Sequence, residues 1–315
     1  MVQPKDVRDE FVLGGGELKK ASIGSRAFDV INVVIMLFIL IVVLYPILHI
    51  IATSLSSTRY ISSGSVAIWP RGFNLEAYTT VFQDPYIFKG YLNSIIYAVG
   101  STGIMLLFTA LMAYPLTIPG FAGKKFLTLF LMITMFFGGG LIPTYLLMRG
   151  LNLLDTVWVM ILPGAVSAYN VFLFRTFFLN IPAELKDSAY IDGANDIVVL
   201  FRIILPLSKA LFATFALFGL VGSWNSWFEA LIYLRDQDKY PLQMVLRNYL
   251  FTLDTTAIQG RVGGGAVAIN APGEALDPKA VRMSVIIITM FPIMCIYPIF
   301  QKHFTKGIFV GSIKG

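Results

Sequence analysis

The chain has 315 residues, of which 57% are hydrophobic and only 13% are charged. So few charges cannot cover a water-soluble globule of this size, and the lipid bilayer is therefore the expected solvent. The net charge of +6 suits basic loops beside anionic lipids and gives no reason to expect a nucleic-acid partner. One cysteine, Cys295, and two separated histidines predict neither an internal disulfide nor a metal site.

Apolar runs along the chain are long enough to cross about 30 Å of hydrocarbon, which takes about 20 helical residues. They predict an all-α, polytopic membrane protein with six transmembrane helices, at about residues 30–52, 92–118, 126–148, 157–178, 207–232 and 283–300. Residues 1–29 are polar and show no cleavage signal, so the first run is expected to be a retained helix. The membrane domain is then residues 30–303, followed by a tail at residues 304–315.

The basic residues indicate how the chain is oriented in the membrane. With the N-terminus inside, fourteen of the 24 Lys and Arg residues fall on the inner side. Because inner segments are enriched in Lys and Arg, this bias predicts that residues 1–29 and 304–315 are both cytoplasmic. The two long excursions, residues 53–90 and 234–282, are then outer loops.

Local patterns predict features within these loops and spans. The segment YPLQMVLRNYL has apolar residues at helical spacing, which predicts a short amphipathic helix on the outer surface. The following glycine-rich stretch, residues 260–278, is expected to lack regular structure and either contacts an outer partner or is only a connector. Gly138 to Gly140, with Pro143, mark a kink or a close helix approach in the third span.

The segment 182–206 is polar although apolar spans flank it on both sides. Pro182 fits the first turn of a helix, and Gly193 is expected to end it. The carboxylates of Glu184 and Asp187 suit the N-terminal end of this helix, which is the positive end of the helix dipole. This helix of about eleven residues is too short to cross a membrane and is expected to lie on the cytoplasmic side. Asn195 or Asp196 could cap a second helix, which Pro206 breaks or bends.

The same segment resembles the signature of the membrane subunits of binding-protein-dependent ABC importers. That signature is Glu-Ala-Ala, three residues, Gly, nine residues, Ile, one residue and Leu-Pro. The chain has Asp187-Ser188-Ala189, then Gly193, Ile203 and Leu205-Pro206 at the same spacings, and it departs in having Asp for Glu and Ser for the first Ala. The segments WNSWFEALIYL and KGIFVGSIKG resemble the smaller maltose-type permease of the carbohydrate branch. The segment FFGGGLIPTYLL is similar to a Gram-positive subgroup that imports complex oligosaccharides.

The resemblance implies the type I ABC importer permease fold, with a cytoplasmic coupling loop at residues 182–206. It also implies a second homologous permease as a heterodimer partner, two copies of a cytoplasmic ATPase that binds ATP and Mg, and an extracellular solute-binding lipoprotein. The chain would lie in a bacterial plasma membrane. The residues that the resemblance assigns to ATPase coupling are Glu184, Asp187, Ser188, Ala189, Asp192, Gly193, Leu205 and Pro206.

Polar side chains inside the spans are candidates for the substrate path, because leaving them against lipid is costly. Asn225 and Glu229 are four residues apart and are expected to share a helix face. Aromatic rings and amide or carboxylate groups also suit a sugar, although Trp at this depth also belongs to the interfacial aromatic belt. The candidates are Asn93, Tyr169, Asn170, Trp224, Asn225, Trp227 and Glu229.

The sequence indicates transport and not catalysis. The segment GFAGKK lacks the first glycine and the final Ser or Thr of a phosphate-binding loop, so ATP hydrolysis is expected in a partner and the chain itself is expected to hold no cofactor. An importer of another solute, such as a peptide, stays open as an alternative. A proton-coupled secondary transporter is a weaker alternative, because the span interiors hold almost no titratable residue apart from Glu229.

Overall fold

The computed structural model describes residues 23–251 and 276–312, with side chains over residues 27–251 and 276–298. Their regular secondary structure is helical, with an isolated antiparallel bridge between Ser56 and Phe73 as their one extended pairing. The predicted all-α membrane fold is confirmed. The helices are α1 (Ile23–Ser54), α2 (Thr58–Ser62), α3 (Glu76–Gln83), α4 (Pro85–Ala113), α5 (Lys124–Phe136), α6 (Leu141–Gly150), α7 (Trp158–Ile161), α8 (Ala168–Leu179), α9 (Ala183–Ile191), α10 (Asp196–Val199), α11 (Leu205–Leu207), α12 (Lys209–Trp224), α13 (Phe228–Tyr233), α14 (242–251) and α15 (Pro278–Ser312).

The chain divides into two compact units, Met1–His49 and Ile50–Gly315. In the first unit, α1 presents an unbroken series of exposed apolar side chains over residues 33–45. The stretch Ala27–Ser54 has a mean hydropathy of 3.0, which suits a helix surrounded by lipid. The second unit holds the other helices and all of the candidate site residues.

Within the described part of the chain, three helices are long and apolar enough to cross a membrane without interruption, namely Ala27–Ser54, Pro85–Thr117 and Pro278–Pro298. In two further places, a pair of helices separated by a sharp bend is long and apolar enough to cross a membrane if both helices are counted together. The helices α5 and α6 turn by 119°, and the segment Asp196–Leu207 turns by 79° against α12. The helix α8, with 12 residues, is shorter than a full span.

The predicted third, fourth and fifth spans are therefore wrong as single continuous helices. The predicted kink in the third span is present, because residues 137–140 are not helical and Gly140 has a φ of +80° that favours glycine. The fourth is interrupted at residues 162–167, which include Pro163 and Gly164, and the fifth is interrupted at residues 225–227. In each case residues that disfavour helix stand at the break.

The helix α4 of the second unit runs without interruption for 29 residues. It begins earlier than the predicted residue 92, because Pro85 occupies the first turn and the Asp84 carboxylate accepts a hydrogen bond from the Tyr86 N–H at 2.8 Å. It lies against α7, α8 and α12. A Cβ added to Gly219 of α12 would stand 2.8 Å from the Thr102 Oγ1 of α4, so glycine permits this close crossing.

The segment after α13 packs back onto the protein. The predicted helix in YPLQMVLRNYL is confirmed as α14, but Leu242 and Val245 are buried in a cluster with residues of α3, α12 and α15. Its apolar side therefore faces the protein core and not an outer surface. The glycine-rich stretch expected to be irregular lies almost entirely outside the described residues.

Candidate functional site

The helix α9 of the polar segment is defined by its two ends. It spans Ala183–Ile191, nine residues, with Pro182 at the N-cap position and Glu184 in the first turn. At the other end Gly193 has a φ of +83°, its N–H donates to the Tyr190 carbonyl at 3.0 Å, and the Ala194 N–H donates to the Ala189 carbonyl at 2.9 Å. These two bonds form a Schellman motif, so the sequence prediction that Gly193 ends this helix is correct.

The helix α9 is open to its surroundings along most of its length. None of its residues is buried, and Ile191, with 86% of its surface exposed, lies among exposed polar side chains. An apolar side chain so exposed, next to carboxylates at the end of a helix, is suited to a groove on another protein. Of the residues predicted to couple to an ATPase, Ala189 and Leu205 are half-buried, and the others are exposed, namely Glu184, Asp187, Ser188, Asp192, Gly193 and Pro206.

The inner side of α9 is fastened to its own chain. The Lys186 ammonium donates to the Phe178 carbonyl at 3.1 Å, in the last turn of α8, where a cation complements the helix dipole. Burial lowers the pKa of Lys186 below its usual 10.5, although Asp187 opposes this shift. The Tyr190 hydroxyl donates to the Asp196 carboxylate at 2.6 Å. The helix is therefore held in place before any partner binds.

The return to the membrane after α9 is bent in stages. The Asn195 side chain accepts a hydrogen bond from the Val198 N–H at 2.9 Å and caps α10, as predicted. Residues Leu200–Ile204 form a π-helix, directly before Pro206, which has no N–H to donate and whose ring clashes with the carbonyl four residues earlier. A turn of 79° then separates this segment from α12.

A cavity of 720 Å³ lies between α4, α8, α12 and α13. The two helix breaks line it, with Pro163 and Gly164 from the first break and Ser226 from the second. Inside a bilayer, backbone that is not helical is tolerated where it lines a water-filled or ligand-filled space. The broken helices and the cavity therefore belong together.

Polar side chains converge on this cavity from four helices. Three of the predicted path residues, Tyr169, Asn170 and Glu229, line it. Among the described residues, Glu229 makes no salt bridge, so its carboxylate is free to accept hydroxyl donors. The sequence reasoning missed further hydroxyl-bearing residues of the lining, namely Ser101, Thr102, Ser223, Ser226 and Tyr233.

Small residues near these serines are the sequence feature from which their place in the lining could have been predicted. Gly219 and Gly222 stand one turn apart on α12, and the Ser223 hydroxyl accepts a hydrogen bond from the Ser101 Oγ on α4 at 3.0 Å. Small residues at such spacing indicate a close helix crossing, and hydroxyls beside a crossing are candidates for a polar lining. Thr102 is buried there with an Oγ1 that has no hydrogen-bond partner among the described residues.

The other predicted path residues lie elsewhere. The Asn93 amide donates to the carbonyls of Asp238 and Tyr240, at 2.8 and 3.1 Å, and fastens α4 to the segment that follows α13. Trp224 is 4% exposed, and its indole N–H donates to the Thr289 carbonyl of α15 at 3.2 Å. The Trp227 ring lies under the Arg247 guanidinium, 5.2 Å from its centroid. None of these three lines the cavity.

The expected shared helix face of Asn225 and Glu229 is wrong. The helix α12 ends at Trp224 and α13 begins at Phe228, so the four-residue spacing crosses a break. Asn225 instead follows the last turn of α12, where its amide donates to the Val221 carbonyl at 2.9 Å. Glu229 alone of this pair lines the cavity.

The described residues include no group of three His, Cys, Asp or Glu side chains that could hold a metal ion. The polar groups that do converge are hydroxyls, an amide and one carboxylate, which donate and accept hydrogen bonds. Such a lining can bind and orient a polar solute. The two features to be explained together are therefore this cavity and the exposed helix α9.

Comparison with known proteins relates both features to transport. Residues 90–310 match the family described as binding-protein-dependent transport system inner membrane component. The chain is 42% identical to Protein LplC of Bacillus subtilis, over 92% of this chain and 96% of the relative. It is 36% identical to the polygalacturonan/rhamnogalacturonan transport system permease protein YtcP of the same organism, over 92% of this chain and 99% of the relative. A crystal structure of a bacterial ABC transporter involved in the import of the acidic polysaccharide alginate contains a similar chain, with 30% identity, a TM-score of 0.81, and coverage of 90% of this chain and 98% of that one.

Proposed function

Because the chain belongs to the family of binding-protein-dependent transport system inner membrane components, we propose that it is the permease subunit of an ATP-driven oligosaccharide importer. The observation that carries the proposed substrate is the 720 Å³ cavity, which is larger than a single sugar ring needs and is lined by hydroxyl, amide, carboxylate and aromatic groups. These groups match the hydroxyls and the C–H faces of a saccharide.

The proposed assembly contains a second homologous permease, two copies of a cytoplasmic ATPase that bind ATP and Mg, and an extracellular solute-binding lipoprotein. The permease pair lies in a bacterial plasma membrane with its termini in the cytoplasm. Support for the ATPase contact comes from α9, which presents Glu184, Asp187 and Asp192 beside the exposed Ile191. Support for the substrate class comes from the sugar polymers named for YtcP and for the alginate transporter.

In the proposed cycle, ATP binding draws the two ATPases together and moves the coupling helix of each permease. The cavity then opens to the outside and receives the sugar from the docked binding protein, and hydrolysis with product release returns it to the inward-open state. This chain binds and orients the sugar with groups such as Asn170 and Glu229, and it performs no chemical step. Binding of the sugar shifts the equilibrium between the two conformations only by its differential affinity for them. The free energy for uphill transport therefore comes from ATP hydrolysis and reaches the permease through the docked helix.

The test is reconstitution in proteoliposomes with the second permease, the ATPase and the binding protein encoded beside this chain. Uptake is measured for labelled neutral oligosaccharides, for oligogalacturonates and for a tripeptide, each with and without ATP. We expect ATP-dependent uptake of a saccharide and none of the peptide. Uptake of the peptide alone, or uptake driven by a proton gradient without ATP, would overturn the proposal.

A further inference from the structure

The Tyr190 hydroxyl connects three separate parts of the second unit. It lies 3.2 Å from the Tyr114 hydroxyl, directly after α4, and 2.6 Å from the Asp196 carboxylate of α10. An ionised carboxylate only accepts, so the single hydroxyl proton of Tyr190 goes to Asp196, and the Tyr190 oxygen accepts from Tyr114. The donors and acceptors therefore have one defined order, from Tyr114 through Tyr190 to Asp196.

Tyr190 keeps its proton at ordinary pH, and the ring of Tyr114 is fixed by burial. Burial and the hydrogen bond to Asp196 raise the pKa of Tyr190 well above its usual 10.0. Tyr114 is only 4% exposed, and its ring belongs to the same buried cluster as Phe174 and Phe178 of α8. A displacement of α9 must therefore stretch this contact or move Tyr114 with it.

Tyr114 continues directly into the helix that lines the cavity. Its N–H donates to the Ala110 carbonyl at 3.0 Å, so it extends the hydrogen-bond pattern of α4. Ser101 and Thr102 of α4 line the cavity, about 20 Å away at about 1.5 Å per helical residue. The crossing at Gly219 leaves no room for α4 to shift without moving α12, since an added Cβ would stand 2.8 Å from Thr102.

The covalent route from α9 to α12 is less suited to transmit a displacement. It passes through the π-helix Leu200–Ile204, then Pro206, and then a turn of 79° before α12. Each of these interrupts the regular hydrogen-bond ladder, so the segment can bend where it is pushed. The helix α4 has no such interruption over its 29 residues.

We propose that Tyr190 is a positioning residue for coupling, and that its contact with Tyr114 passes the displacement of the docked helix α9 along α4 to the cavity. This inference rests on the proposed function, because it assumes that an ATPase moves α9. Tyr190 itself touches neither nucleotide nor sugar. The contact is a discrete, hydrogen-bonded junction between two rigid elements, and this is the arrangement through which coupling energy can pass.

The experiment uses the full transporter in proteoliposomes and compares Tyr190→Phe with wild type. Basal ATP hydrolysis, its stimulation by the loaded binding protein and the sugar taken up per ATP are measured, with whichever saccharide probe drives uptake in wild type. We expect basal hydrolysis to stay within about twofold of wild type and uptake per ATP to fall about tenfold, the scale of one or two net hydrogen bonds. Normal uptake per ATP in this variant overturns the proposal.

A double-mutant cycle tests whether the two tyrosines act through one contact. Tyr114→Phe should lower uptake per ATP as much as Tyr190→Phe, and the double variant should lower it no further. Losses that multiply would show separate roles and would overturn the relay. Asp196→Asn keeps an acceptor oxygen and should retain most of the coupling.

The matched control is Tyr78→Phe, which removes a tyrosine hydroxyl bonded to Ser54 at 2.8 Å, away from α9. It should leave uptake per ATP unchanged, and a loss equal to that of Tyr190→Phe would make the effect nonspecific and overturn the assignment. If the wild-type assembly takes up no saccharide, the proposed function fails. The relay is then still measured by whether Tyr190→Phe lowers the stimulation of ATP hydrolysis by the binding protein.

Discussion

A series of substitutions at Gly193 separates helix termination from partner docking. Gly193 has a φ of +83°, and an added Cβ would meet no atom of this chain within 4 Å. Gly193→Ala therefore introduces only a backbone cost, whereas Gly193→Trp adds the same cost and a large side chain on the exposed surface. Gly193→Asn costs least, because asparagine visits this backbone region more readily than other residues.

The expected magnitudes follow from the backbone alone. A residue with a Cβ in the left-handed region costs about 1–2 kcal/mol relative to glycine, which lowers the population of the native turn about 5- to 30-fold. If Gly193 serves only to end α9, alanine and tryptophan should have similar effects. If the Gly193 surface docks closely against an ATPase, tryptophan should be far worse than alanine, because overfilling a packed contact costs about 1–3 kcal/mol more.

The assay is capture of the ATPase by the tagged permease pair in detergent, titrated to give an apparent affinity. We expect wild type and Gly193→Asn to bind most tightly, Gly193→Ala to bind less tightly and Gly193→Trp to bind least. Gly120→Ala is the control, because Gly120 has a φ of +78°, has no atom within 4 Å of an added Cβ and lies outside the coupling loop. Equal affinities for the alanine and tryptophan variants at Gly193 would refute close docking, and an equal loss in Gly120→Ala would refute any specific role.

Three other substitutions test the cavity, the core and the loop that contains Asp155. Glu229→Gln should lower uptake at sub-saturating sugar about tenfold or more, because a hydrogen bond to a charged group contributes about 1.5–3 kcal/mol. The control Asn225→Ala, which changes a residue outside the cavity, should leave uptake unchanged. Equal uptake by the two variants would contradict the proposed site. Trp224→Phe should lower the free energy of unfolding by about 1–2 kcal/mol, because the buried hydrogen bond of the indole N–H is lost, and uptake per folded molecule should be unchanged. Lower uptake at normal stability would instead indicate that Trp224 belongs to the substrate path. Burial alone would raise the pKa of the Asp155 carboxyl, but two backbone N–H donors and Lys239 hold this pKa below its usual 3.8. The ionised carboxylate therefore stabilises the fold above the pKa of the unfolded chain. This stabilisation is lost as the pH falls through the lower pKa of the folded protein. Asp155→Asn should flatten the loss of melting temperature below about pH 4, and an unchanged acid limb would contradict this account.

The coupling segment could be predicted from sequence because its structure is decided locally. Pro182 restricts the backbone at the start of α9, Gly193 permits the left-handed turn at its end, and Asn195 supplies the next cap. Each effect depends on neighbours within a few residues, which a single sequence displays. A partner for the exposed surface of α9 is predicted only through the resemblance, because the residues of this chain alone do not identify one.

The cavity could be predicted only in part, because tertiary packing decides which polar groups meet. Trp224 and Glu229 lie five residues apart and looked equivalent in sequence, yet the break after α12 turns Trp224 into the core and Glu229 toward the cavity. The serines of the lining were missed because Ser and Thr within a transmembrane helix usually bond to a carbonyl of the preceding turn. Ser101 lies 3.4 Å from the Ala98 carbonyl of its own helix, but it also donates across to Ser223 on α12 at 3.0 Å.

Continuous and interrupted helices serve different purposes in this molecule. Where Pro163 and Ser226 interrupt the helices, backbone groups lose their intrahelical partners, and in a bilayer they need water or a polar solute in their place. These breaks therefore lie on the cavity, where water or a polar solute can supply those partners. Transmission of force would need the opposite property, and the uninterrupted α4 runs from the cavity to Tyr114 beside α9. The same chain can thus hold a polar solute at its breaks and receive motion along its unbroken helix.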